Sequence, residues 1–102
     1  MRIAIVDDIN SDQKELHNRL SAILCQYSVD AAIFEYSSGE AFLSAAQNER
    51  FELVFLDIYM NGANGVETAK KLRTFDQECI IVFTTSSTDY ALEGFKVREG
   101  KS

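Results

Sequence analysis

Four short runs of β-branched and aromatic residues alternate along this chain with stretches whose apolar residues recur every three or four positions. A strand period and a helix period cannot share a segment, so the alternation predicts strands and helices in strict succession. Residues 2–6 (RIAIV) stop abruptly at Asp7-Asp8, and residues 31–36 (AAIFEY) stop at Ser37-Ser38. Residues 52–56 (ELVFL) stop at Asp57, and residues 79–84 (CIIVFT) run into Thr85-Ser86-Ser87. The first intervening stretch, residues 10–27, carries Leu16, Leu20, Ile23, Leu24 and Tyr27 on one helical stripe. Asn10 or Ser11 is placed to cap its first turn, and Asp12 and Glu15 suit the positive end of the helix dipole. Ser37 and Glu40 stand at capping-box spacing before a short helix through Phe42, Leu43 and Ala46. A turn over residues 61–65 (NGANG) leads to a helix with Val66, Ala69 and Leu72. Ser87 or Thr88 opens a last helix with Tyr90, Ala91, Leu92 and Phe95. The fourth run is apolar on both faces, as a parallel sheet covered by helices requires. The expected fold is one doubly wound α/β domain, βαβαβαβα.

Composition narrows what such a domain can do. At 102 residues the chain holds one domain, and 46% hydrophobic with 25% charged residues is the balance of a globular protein. A net charge of −6 argues against a direct grip on nucleic acid. No apolar run is long enough for a membrane span, and two aspartates interrupt the first apolar stretch where a signal peptide would continue. Cys25 and Cys79 are too few for a disulfide framework or zinc site. Both are expected to be small packing residues in a cytoplasmic protein with reduced thiols.

In open parallel sheets the functional crevice lies beyond the carboxyl ends of the strands. Asp7, Asp8 and Asp57 stand at two such ends, with the hydroxyls of residues 84–87 at a third. A single aspartate in such a place is more often a solvated residue or a helix cap than a ligand. Three converging carboxylates repel one another unless a cation sits among them. Oxygen donors without His or Cys point to a hard ion, Mg²⁺. A carboxylate beside such an ion can attack phosphorus, and a nearby hydroxyl can hold a phosphoryl oxygen.

The phrases IAIVDD, LVFLDIYMNGANGVETAKKLR and IIVFTTSSTDYALEGF together resemble the receiver domain of two-component response regulators over nearly the whole chain. The likeness is strongest to receivers that precede a LytTR-type (LytR/AlgR) DNA-binding domain. The intervals of eight residues from Asp57 to Gly65 and 28 from Asp57 to Thr85 match that group. The resemblance implies a flavodoxin-like (CheY-like) receiver in which Asp57 accepts a phosphoryl group from a histidine kinase. It implies Asp8 as a direct Mg²⁺ ligand, Asp7 as its partner, and a metal-facing backbone carbonyl at Tyr59. Thr85 falls at the switch hydroxyl, and Ser86 is small enough to leave Asp57 accessible.

Three departures qualify the likeness. Met60-Asn61-Gly62 stands where the family usually reads Met-Pro-Gly, and Ile9 stands where an acidic residue is common. A receiver also carries a fifth strand and fifth helix with a lysine-proline pair, none of which is found here. Lys96, Arg98 and Lys101 match no part of it. Residues 1–102 are therefore expected to form a C-terminally incomplete receiver, with its DNA-binding output domain outside this chain. Weak or absent phosphotransfer, and a homodimer, strand swapping or marginal stability from the uncovered fourth strand, are the expected consequences.

The same residues bear on other functions. His17 is expected at the surface, and Lys70, Lys71 and Arg73 on a solvated face. An aspartyl phosphatase needs a second acid where Tyr59 stands, and a nucleotide or flavin module needs a phosphate loop where the sequence is DDINSD. The remaining rival is a degenerate receiver that serves only as a protein-interaction module.

Overall fold

The computed structural model describes residues 1–60 and 64–84. Four parallel strands form one sheet: β1 (Arg2–Val6), β2 (Ala32–Tyr36), β3 (Leu53–Asp57) and β4 (Ile80–Thr84). They lie in the order β2-β1-β3-β4. Three helices connect them: α1 (Asn10–Gln26), α2 (Gly39–Ala46) and α3 (Gly65–Arg73). Asn61 and Gly62 lie outside the described residues, as do Thr85, Ser86 and the last predicted helix.

The period of two along each strand assigns side chains to faces. Ala4 and Val6, Val54 and Leu56, and Ile81 and Phe83 form one face, buried under Phe42 and Ala46 of α2 and Ala69 and Leu72 of α3. Phe34, Tyr36, Phe42 and Phe51 extend this core as a set of edge-to-face and tilted rings. Arg2 lies over Phe34, 4.5 Å from the ring centroid, and closes the cluster with an ion pair to Glu49. Helix α1 covers the opposite face, where Ile3 and Ile5 are buried and Glu35 meets Lys14 and His17.

The strands begin or end within a residue of expectation, and the one shift that matters is at β3. Asp57 belongs to the strand, paired with Thr84, and the next backbone N–H, of Ile58, donates to the Thr84 carbonyl at 3.0 Å. The helix caps differ more. Neither Asn10 nor Ser11 caps α1; Ile9 holds the cap position without a side-chain bond. Asp7 Oδ1 instead accepts from the Ile9 N–H at 2.9 Å and turns the chain into the helix before a capping residue is reached.

Ser38, not Ser37, caps α2, accepting from the Ala41 N–H at 3.1 Å. Packing sets that register: a Cβ on Gly39 would stand 2.2 Å from Thr68 Oγ1, so glycine marks where α2 presses on α3. Ser38→Ala should cost about 1 kcal/mol in urea unfolding, with Ser37→Ala nearly silent.

The apolar stripe of α1 is only partly covered. Leu16, Leu20 and Leu24 are half-buried, whereas Ile23 and Tyr27 are exposed and the buried residue is Gln13. Cys25 is exposed rather than packed. Cys79 is buried, and burial with Asp76 beside it pushes its thiol up to about 12. His17 is half-buried and bonds Glu35 Oε2 through Nδ1 at 2.6 Å, because its face of α1 meets β2. Lys70 and Lys71 are exposed as expected, while Arg73 folds back to donate to the Asp76 carbonyl at 3.2 Å. Asp76 accepts from the Glu78 and Cys79 backbone N–H groups and faces Arg50. It stitches the turn between α3 and β4.

Candidate acidic site

Asp7 follows β1 directly and Asp57 ends β3, the central pair of strands. Both have the parity of the α1 face, so their carboxyl groups leave the sheet at the same end and on the same side. Asp8 adds a third carboxylate from the loop that enters α1. One carboxylate oxygen from each of the three lies within 4.8 Å of the others. Asp7 and Asp57 are buried, and Asp8 is half-buried.

Burial and mutual repulsion act together on this group. Loss of water raises Asp57 most, and Asp7 and then Asp8 push it further, while the Tyr59 backbone N–H, donating to Oδ1 at 3.3 Å, pulls back. The balance lifts Asp57 to about 7. Asp7 is also raised, chiefly by burial, despite its bond from Ile9. The interaction between the two side chains raises Asp57 and lowers Asp7.

Backbone contacts fix the acid on β3. Beyond the strand, the Gly65 N–H donates to the Ile58 carbonyl at 2.9 Å, which folds the start of α3 back on residues 57–58. A Cβ on Gly65 would stand 2.2 Å from the Asp57 carbonyl oxygen, so this position requires glycine for close approach. Asn64 caps the same helix, accepting from the Glu67 N–H at 2.9 Å.

Of the residues singled out in the sequence, the structure therefore gathers Asp7, Asp8 and Asp57. The Tyr59 side chain is exposed beside them, and Thr85 and Ser86 fall outside the described residues. Sequence reasoning missed Gln13, a buried amide under the loop that carries Asp7 and Asp8. Its only signal was a polar residue one turn before Leu16 and His17 on the covered side of α1.

The family model for the response regulator receiver domain matches residues 3–99. The sensory transduction protein LytT of Oceanobacillus iheyensis is 32% identical over 96% of this chain and 40% of its own length. LytR of Staphylococcus haemolyticus is 31% identical over 95% of this chain and 36% of its own. The chain thus spans about two-fifths of the length of the curated relatives it matches. Among solved structures, the response regulator TrrA of Thermotoga maritima, in complex with Mg²⁺–BeF, superposes with a TM-score of 0.75 at 27% identity. That match covers 90% of this chain and 75% of the other. The chemotaxis protein CheY4 of Vibrio cholerae shares the fold, with a TM-score of 0.69 at 24% identity over 94% of this chain and 78% of its own.

Proposed function

Because the chain belongs to the response regulator receiver family, which comprises signalling modules rather than catalytic enzymes, we propose that Asp57 is its phosphoacceptor. The convergence of Asp7, Asp8 and Asp57 at the carboxyl ends of β1 and β3 carries this reading. A phosphohistidine of a histidine kinase is the donor: an Asp57 carboxylate oxygen attacks phosphorus, the phosphorus–nitrogen bond breaks, and the imidazole leaves as a neutral ring, keeping the proton that its other nitrogen carried. The product is an acyl phosphate on Asp57.

The donor set fits Mg²⁺, since three carboxylate oxygens within 4.8 Å suit a hard divalent ion and are poorly tolerated without one. Asp8, Asp7 and Asp57 would hold it, with the Tyr59 backbone carbonyl completing the protein's share. When bound there, the ion supplies positive charge against the carboxylates and the phosphoryl oxygens. Asp7 orients the pair through its bond from Ile9, and the Tyr59 N–H orients Asp57. Thr85 would follow the phosphoryl group and Ser86 leave it room. The TrrA complex with Mg²⁺–BeF supports this assignment by its similarity.

The likeness to LytT and LytR supports residues 1–102 as the receiver of a longer regulator, acting in the cytoplasm on transcription through a LytTR-type domain outside this chain. Among the described residues no helix is long and apolar enough to cross a membrane.

Titration with Mg²⁺ and beryllofluoride, followed by amide NMR shifts, tests the proposal. Saturable shifts at Asp57, Ile58 and Thr85 are expected. Silence there would favour a degenerate receiver that acts only through protein contacts.

A further inference from the structure

Gln13 is buried to 5% exposure at the end of the first turn of α1, a position that normally takes an apolar residue. Its side-chain amide has a structural task there. Nε2 donates to the Tyr36 carbonyl at 2.9 Å and to the Asp7 carbonyl at 3.4 Å. The Asp7 N–H donates to the same Tyr36 carbonyl at 3.0 Å. One amide therefore ties the ends of β1 and β2 to α1, in a loop whose helix has no side-chain cap. One turn further along α1, His17 bonds Glu35, so the two polar residues form a seam against β2.

The Asp7 carbonyl is half of the peptide unit that joins Asp7 to Asp8. That unit is planar and rigid, so a bond to its oxygen restrains the rotation of the plane on which both α-carbons sit. From it, two of the three carboxylates of the acidic site project. We infer that Gln13 is a positioning residue for cation binding: it sets the Asp7–Asp8 peptide plane and thereby the spacing of their carboxylates from Asp57. The inference rests on the cation site proposed above. Outer partners that orient metal ligands typically change affinity by 10–100-fold, and Gln13 acts at one remove further through the backbone.

The test uses the 102-residue chain and Mg²⁺ alone, read by amide NMR shifts of Asp7, Asp8 and Asp57 alongside thermal unfolding. Gln13→Met keeps the side chain's length and removes its donors, and should weaken Mg²⁺ about tenfold. Leu20→Ala, which thins the packing of the same helix away from the loop, should lower thermal stability but leave Mg²⁺ affinity within twofold of the unmodified chain. Affinity in Gln13→Met within twofold of the parent overturns the inference, as does an equal loss in Leu20→Ala. Should Gln13→Met fail to fold, the side-chain amide protons of Gln13 in the parent serve instead. They should shift with the same Mg²⁺ midpoint as Asp7 and Asp57, and immobility would overturn the inference. A parent chain with no saturable Mg²⁺ response overturns the cation site itself, and the inference with it.

Discussion

Asp57→Asn should abolish phosphoryl labelling and yet stabilise the chain by about 2–4 kcal/mol at pH 8 in cation-free buffer. The second effect follows from the same burial that makes the site useful. In the folded chain Asp57 ionises at about 7, against 3.8 for an unperturbed carboxyl. Between those values the folded chain holds a proton that the unfolded chain has released. Stability at this group is therefore greatest below pH 4, falls as pH rises to 7, and levels off above. Asp7, also raised, acts in the same direction. Glu52, lowered by the Arg2 backbone N–H that it accepts at 2.6 Å, acts the opposite way but is fully exposed. Asparagine removes the charge while keeping an oxygen for the Tyr59 N–H and gaining a donor towards Asp7. Urea unfolding of both proteins from pH 4 to 8 measures this: the parent should lose stability across the range and the variant should lose much less. Parallel pH profiles would show that Asp57 is ionised normally. Mg²⁺ at tenfold its Kd should return about 1.4 kcal/mol to the parent at pH 8 and far less to the variant.

Gly65→Ala should cost about 3 kcal/mol, the upper part of the usual range for overpacking, and disturb the acidic site as it does so. The added methyl would meet the Asp57 carbonyl oxygen at 2.2 Å, the Asp57 carbonyl carbon at 2.9 Å and the Ile58 α-carbon at 3.0 Å. All three are backbone atoms, so no side chain can swing aside to make room. Either α3 withdraws, breaking the bond from the Gly65 N–H to the Ile58 carbonyl, or the end of β3 moves with Asp57. Urea unfolding should give the loss in stability, and Mg²⁺ titration should show weaker binding in the fraction that folds. A cost below 0.5 kcal/mol would mean that the two segments separate more easily than their packing implies.

Different parts of the molecule were legible in the sequence for different physical reasons. Strand and helix identities follow from hydrophobic period, a local property, so all seven described elements agree with the reading to within about a residue at most ends. The acidic residues were visible for a related reason. A run of apolar residues that stops at an aspartate places that aspartate at a strand end, and parallel strands bring such ends together. Helix caps were less legible, since Ser37 and Ser38 offer the same hydroxyl. Only the close approach of Gly39 to Thr68 decides between them.

Tertiary contact also decided the surroundings of single residues that no local pattern marks. His17 looked like a surface residue because histidine in a polar helix carries no period of its own, and its partner Glu35 is 18 residues away on another element. Cys25 looked like a packing residue but lies on the exposed side of α1. Gln13 passed unnoticed, since its partners are backbone carbonyls, which no sequence pattern marks.

The sequence by itself determined the order of strands and helices, the acidic residues at the strand ends and the glycine eight residues after Asp57. These are set by periodicity and by where apolar runs end. Only the tertiary structure decided that Asp7 and Asp57 are buried side by side, that Asp57 ionises at about 7, and that a buried glutamine holds the loop between β1 and α1. Those properties depend on distance and lost water between residues far apart in the chain, and both arise only when the sheet closes.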